Sequence, residues 1–164
     1  MFQKMKNWLL LIFIFVALYF SWKGILFLDP DFGWHVRMGW VILAQGIPAT
    51  DPFSYTMPSY PFVDHEWLTN LLFAKGMETI GYNGLALLFG ALATAAFSLQ
   101  LLTVSAKAKR LAPLFLLLAF LAVSPLVGIR PQIITWLFFS VLLFVIRDSV
   151  RFAKWKWLLP LLFV

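Results

Sequence analysis

The chain has 164 residues, 62% hydrophobic and 12% charged, with a net charge of +6 and a mean hydropathy of +0.88. Soluble domains sit near about 45–50% apolar and about 25% charged, and a short chain has too much surface to hide the excess, which argues against an ordinary soluble globule. Cysteine is absent, which excludes disulfides, thiolate nucleophiles and zinc–cysteine sites, and the cations fall between apolar runs, a pattern of membrane topology and not of nucleic-acid binding.

The first apolar run, Asn7–Leu28, is interrupted by Ser21, Lys23 and Gly24. Lys4 and Lys6 give it a basic start, but "ALYFSWKG" offers no small-x-small cleavage site, so the run reads as a retained anchor. Further runs cover residues 85–104, rich in Gly and Ala, then 111–128, 131–147 and 155–164. Runs of about eighteen or more apolar residues predict membrane spans. The small residues of the second predict close helix packing. Ser124-Pro125 breaks the third run early, and the turn "SPLVGIRPQ" is expected to dip into the protein. The predicted fold class is therefore all-α: one polytopic membrane domain over residues 1–164, an integral membrane bundle of four to five transmembrane helices. A long structured outer loop, 29–84, carries amphipathic interfacial helices. The last run is expected to be truncated.

Basic residues stay on the cytoplasmic side. With the N-terminus inside, nine of the thirteen cations are cytoplasmic, and six of the seven acids fall in the outward loop with both histidines. The expected location is a prokaryotic cytoplasmic membrane, with the loop outside.

Within the loop, "DPDFGWHVRMGWVILAQG" carries helix punctuation. Asp29 is the candidate N-cap, Pro30 suits the first helical position and Gly46 the stop. Phe32, Val36, Trp40 and Leu43 recur at helical spacing as one apolar stripe, with Asp31 and His35 one turn apart on a neighbouring stripe. Trp34 and Trp40 place this helix flat at the interface. "GIPATDPFSYTMPSYP" predicts an ordered turn, and "VDHEWLTNLLFAKGMETIG" a second helix capped by Asp64 and ended by Gly81. A loop this long is functional or disordered, and its aromatics and helix signals oppose disorder.

Asp29 and Asp31 can cap the helix start, or one can face a cavity as a general base or metal ligand. Asp31, His35, His65 and Glu66 could form an oxygen- and nitrogen-ligand cluster for a divalent cation such as Mg or Mn if the two helix starts converge. Asp64 and Glu66 also suit the helix dipole. Arg130, beside Pro131 between apolar runs, is a cation able to hold phosphate in two-pronged fashion, or an interfacial arginine that snorkels.

The segments "DPDFGWHVRMGWVILAQGIPATDPFSYT", "VDHEWL" and "IRPQIITW" resemble those of multi-spanning glycosyltransferases of the GT-C superfamily, in particular a prokaryotic group with these loop motifs. The resemblance implies transfer of a sugar from a polyprenyl-phosphate-linked donor to a glycan, lipid or protein acceptor on the outer side of the membrane. It implies Asp29 or Asp31 as the catalytic carboxylate, with His35, Arg37, Asp51, His65, Glu66 and Arg130 around the substrates. Members of the superfamily have about twice as many spans, so the chain is expected to be a fragment or half of a split gene. It is then expected to need its missing C-terminal part or another membrane subunit. The alternatives are a non-catalytic binding or assembly subunit and a polyprenyl-lipid transporter or flippase.

Overall fold

Six α-helices carry the described residues: α1 (Phe2–Leu26), α2 (Phe32–Gln45), α3 (Trp67–Thr79), α4 (Gly81–Thr103), α5 (Ala112–Val123) and α6 (Pro131–Phe152). The structure is a computed structural model, and it describes residues 2–104 and 111–152. Helix is the only regular structure among these residues, apart from one isolated bridge between Thr50 and Pro61. The expected run at 155–164 lies outside the described residues.

The expectation of four to five transmembrane helices is corrected here. Among the described residues one helical stretch, Gly81–Gln100, is long and apolar enough to cross a membrane. The other apolar stretches, Phe13–Leu26, Leu117–Leu126 and Pro131–Arg147, have 17 residues or fewer. A hydrocarbon core of about 30 Å needs about 20 helical residues at about 1.5 Å each. The reason for the shortfall is clearest in the third run. Proline has no N–H to donate and clashes with the preceding turn, so α5 stops at Val123, and Ser124–Leu126 tightens into a single 3-10 turn.

The chain divides into two compact units, residues 1–27 with 86–164, and residues 28–85. In the first, α1 and α4 approach closely through small residues. A Cβ on Gly90 would overlap the backbone of Ser21, and one on Gly24 would touch Ala86 at 3.4 Å. Gly24 and Ser21 are one turn apart on α1, and Ala86 and Gly90 one turn apart on α4, so each pair lines the crossing. Tyr19 donates or accepts a 3.0 Å hydrogen bond with Ser124 Oγ, and the Lys23 ammonium donates to the Ser124 carbonyl. The turn after α5 is packed inward, with Val127, Gly128 and Ile129 buried. An open apolar recess of about 210 Å³ lies among Ala96, Phe97, Val123, Trp136 and Phe139, where Gln100 donates to Ser140 Oγ at 2.7 Å.

The second unit is a hairpin of α2 and α3 with an aromatic loop between them. Gly46, at φ 83°, closes α2 where an L side chain would be strained, and its N–H returns to the Ile42 carbonyl. Gly81, at φ 67°, turns the chain from α3 directly into α4, so α4 starts four residues before the predicted 85. The predicted apolar stripe of α2 is half right. Phe32 and Val36 are buried, but Trp40 and Leu43 are exposed, and the buried face runs through His35, Gly39 and Ile42 instead. The reason is the crossing point: a Cβ on Gly39 would overlap the Asn70 carbonyl and the Ala74 side chain. Helix α3 therefore sits directly on Gly39, a residue that carries no hydrophobic signal of its own.

A buried polar network holds the candidate functional site

The first turn of α2 is built by the "DPD" segment. Asp29 Oδ1 accepts the Asp31 N–H at 2.9 Å, and the Asp29 carbonyl accepts the Phe32 N–H at 3.1 Å. Asp29 thus shapes the turn before the helix, and Asp31 occupies the N-cap position. The Asp31 carboxylate is exposed and makes no capping hydrogen bond. Its carbonyl accepts the His35 N–H at 3.0 Å, so the two residues stand one turn apart, with Asp31 outside and the imidazole inside.

His35 joins a network that ties α2 to α3. Its Nδ1 lies 2.7 Å from Asn70 Oδ1 and 3.7 Å from Glu66 Oε2. Asn70 is fully buried and its Nδ2 donates to both oxygens of the Asp64 carboxylate, at 3.0 and 2.8 Å. Asp64 Oδ1 also accepts the Glu66 N–H at 3.1 Å. These contacts fix the proton positions. A carboxylate only accepts, so the Asn70 amide nitrogen must face it and its oxygen must face the imidazole. His35 Nδ1 therefore carries the hydrogen. Among the described residues Nε2 has no hydrogen-bond partner, and no fully enclosed side-chain nitrogen or oxygen lacks one, so Nε2 is not fully enclosed although His35 is only 7% exposed. The Trp34 and Phe73 rings meet the imidazole edge-on at 5.1 and 5.8 Å and fix its plane.

The remaining predicted residues are dispersed. Asp51 Oδ1 accepts the Phe53 N–H at 2.9 Å and shapes the loop. His65 and Arg37 are exposed, and Glu66 is half-buried at the N-cap of α3, one turn before Asn70. Asp64, expected to cap that helix, lies before its first turn and is bonded to the Asn70 side chain instead. Arg130 belongs to the other unit, at the start of α6, where its carbonyl accepts the Ile133 N–H at 3.1 Å. Among the described residues no group of three or more His, Asp or Glu side chains could hold a metal ion. The set Asp31, His35, His65 and Glu66 is thus not gathered as a cluster. What brings His35 and Glu66 together is an amide, Asn70, which was no candidate in the sequence. Its signal was its spacing: Asn70, Phe73 and Ala74 share one face of α3, so a polar residue on the buried side needed a partner.

No family model, curated protein or solved structure matches this chain. None of these comparisons supports the expected resemblance to the GT-C superfamily.

Proposed function

We propose that the chain serves the transfer of a sugar from a polyprenyl-phosphate-linked donor at the outer face of a membrane, with Asp31 as the proton acceptor. One observation carries the reading. Of the two aspartates, one is fixed in the turn, while the other presents an exposed carboxylate one turn from an oriented imidazole. In the step we assign, the acceptor hydroxyl oxygen bonds to the sugar's anomeric carbon. The bond from that carbon to the phosphate oxygen breaks, the lipid phosphate leaves with the electron pair, and the Asp31 carboxylate takes the hydroxyl proton. Asp64 and Asn70 act as positioning residues for His35, whose Nε2, with the hydrogen on Nδ1, can accept a hydrogen bond from a sugar hydroxyl. Arg37 and His65 are exposed groups of this unit able to meet the phosphate, while the exposed Lys75 is paired with Glu78. No step is routed through a metal, since these residues do not form a site for one.

The placement at a membrane is supported by α4. A core helix of a soluble protein is mostly covered, whereas 39% of its apolar window is buried. Lys107, Lys109 and Arg110 follow it in sequence, while the segment before it, residues 28–80, holds six acids against two bases, Arg37 and Lys75. Positive residues tend to stay in the cytoplasm, which favours an outer position for residues 28–80.

The test is transfer of labelled sugar from a polyprenyl-phosphate donor in membranes carrying the full chain. Asp31→Asn removes the base but no capping bond, so transfer falls about 10²–10⁴-fold while the amount of folded protein is unchanged. Normal transfer after replacement of both Asp29 and Asp31 overturns the assignment. A second reading, a non-catalytic binding subunit, is favoured by the employment of Asp29, Asp51 and Asp64 in turns and packing. It predicts donor binding without turnover.

A further inference from the structure

The imidazole of His35 commits one nitrogen to the protein and leaves the other open. Nδ1 faces two oxygens, Asn70 Oδ1 at 2.7 Å and Glu66 Oε2 at 3.7 Å. Asn70 cannot turn to offer its nitrogen there, because both oxygens of Asp64 hold that nitrogen at 3.0 and 2.8 Å. Asp64 and Asn70 are themselves buried. A hydrogen on Nε2 alone would set the Nδ1 lone pair against two oxygens with no hydrogen between them. The hydrogen is therefore confined to Nδ1, and Nε2 keeps a lone pair. That nitrogen has no partner among the described residues and is not fully enclosed, on a side chain more than nine-tenths buried. Trp34 and Phe73 meet the ring edge-on and keep the lone pair pointed one way. A polar atom left open in so buried a side chain calls for a ligand to satisfy it.

We propose that Asp64, acting through Asn70, sets the ligand class of this site: Nε2 takes a neutral hydroxyl and refuses an anion. Asp64 is a positioning residue in this scheme. It touches no ligand, and it acts by choosing which imidazole nitrogen is free. A ring nitrogen without hydrogen only accepts. A hydroxyl can rotate its hydrogen to meet the lone pair. A phosphate or carboxylate oxygen has no hydrogen to offer, so lone pair faces lone pair. The charges around the ring act in the same sense. Glu66 lies beside Nδ1, Asp64 lies behind Asn70, and the Asp31 carboxylate stands exposed one turn earlier. An anion drawn to Nε2 is repelled by these three carboxylates. Arg37, two residues on, lies about 200° around α2 and does not offset them. The identity of the hydroxyl rests on the sugar-transfer reading: it belongs to the sugar, and the donor's phosphate is met away from the imidazole. A deoxy sugar lacking that hydroxyl leaves a buried acceptor unpaired and is disfavoured.

The test is a two-bond proton–nitrogen correlation spectrum of the full chain, isotope-labelled at histidine, in phosphatidylcholine nanodiscs. His65→Gln leaves His35 as the one imidazole. At about pH 8.5, above the ordinary imidazole value of about 6.5, the expected pattern is a protonated Nδ1 and an unprotonated Nε2. Among methyl glycosides of glucose, mannose and arabinose, at least one moves the Nε2 resonance upfield in a saturable way, while inorganic phosphate leaves it in place. In Asp64→Asn, Glu66→Gln both partners become amides that can turn either way. The hydrogen then divides between the two nitrogens, and phosphate shifts the ring. Unchanged exchange protection of α2 and α3 shows that this variant keeps the hairpin; where it does not, the spectrum of the intact network decides alone. A hydrogen on Nε2 of the intact network overturns the proposal. So does a saturable shift with phosphate, and so does an Nε2 that none of the glycosides moves. Absence of sugar transfer with this spectrum and the glycoside shift intact strikes the transfer reading alone.

Discussion

Replacing Asn70 by Leu opens the helical hairpin. The side chain is fully buried and supplies two hydrogen bonds to a buried carboxylate and one acceptor to a buried imidazole. Leucine fills nearly the same space but supplies none of these. A buried polar group left without its partner costs about 1–3 kcal/mol, and a charged group more, so the variant loses on the order of 3 kcal/mol or more. Hydrogen exchange reads this directly. The amides of α2 and α3 become unprotected together, since both helices depend on the same contact. The α1–α4 crossing uses none of these groups, so exchange there is unchanged. Asn70→Asp is worse, because it sets a second carboxylate against Asp64. Unchanged protection in Asn70→Leu would show that the network is incidental to the hairpin.

The second large effect lies at Gly39. A side chain there meets the Asn70 carbonyl and the Ala74 methyl, and a backbone oxygen cannot swing aside as the end of a long side chain can. Overpacking a tight site costs about 1–3 kcal/mol, occasionally more, and Gly39→Val belongs at the upper end because it collides with main chain. The expected result is loss of hairpin protection comparable with that of Asn70→Leu. The two substitutions disturb one contact, so the double variant loses less than the two separate losses combined. Full additivity would mean that the glycine and the amide act at separate places.

These two positions also show where sequence reading ran out. The stop of α2 was legible because it is local, a positive-φ glycine at 46, but its start was read two residues early: Asp29 was expected as the N-cap and Pro30 as the first helical residue, whereas Asp31 holds the N-cap position and the helix begins at Phe32. The buried face of α2 was not, because it is centred on Gly39, and counting apolar letters selects Trp40 and Leu43 in its place. His35 was read as a polar neighbour of Asp31 and a candidate ligand, yet it turns inward, where Asn70, 35 residues away, accepts its hydrogen bond. Such pairings depend on the helix crossing and leave no trace in local spacing. The spans failed for a related reason. In the third run, apolar run length passes over Ser124-Pro125 and the turn up to Arg130, whereas α5 stops at Val123. The small residues of α4 were informative, because close approach needs the absence of a side chain, and that is written in the residue itself.

Sugar transfer as proposed requires residues 28–80 to lie on the outer side of the membrane. Because the chain has no cysteine, Gln45→Cys, at the exposed end of α2, gives one reactive thiol without background. A membrane-impermeant maleimide added to intact cells expressing the full chain is predicted to label this position fully, with no gain on permeabilisation. Labelling that appears only after the membrane is breached would place the Asp31–His35 site in the cytosol and contradict the account.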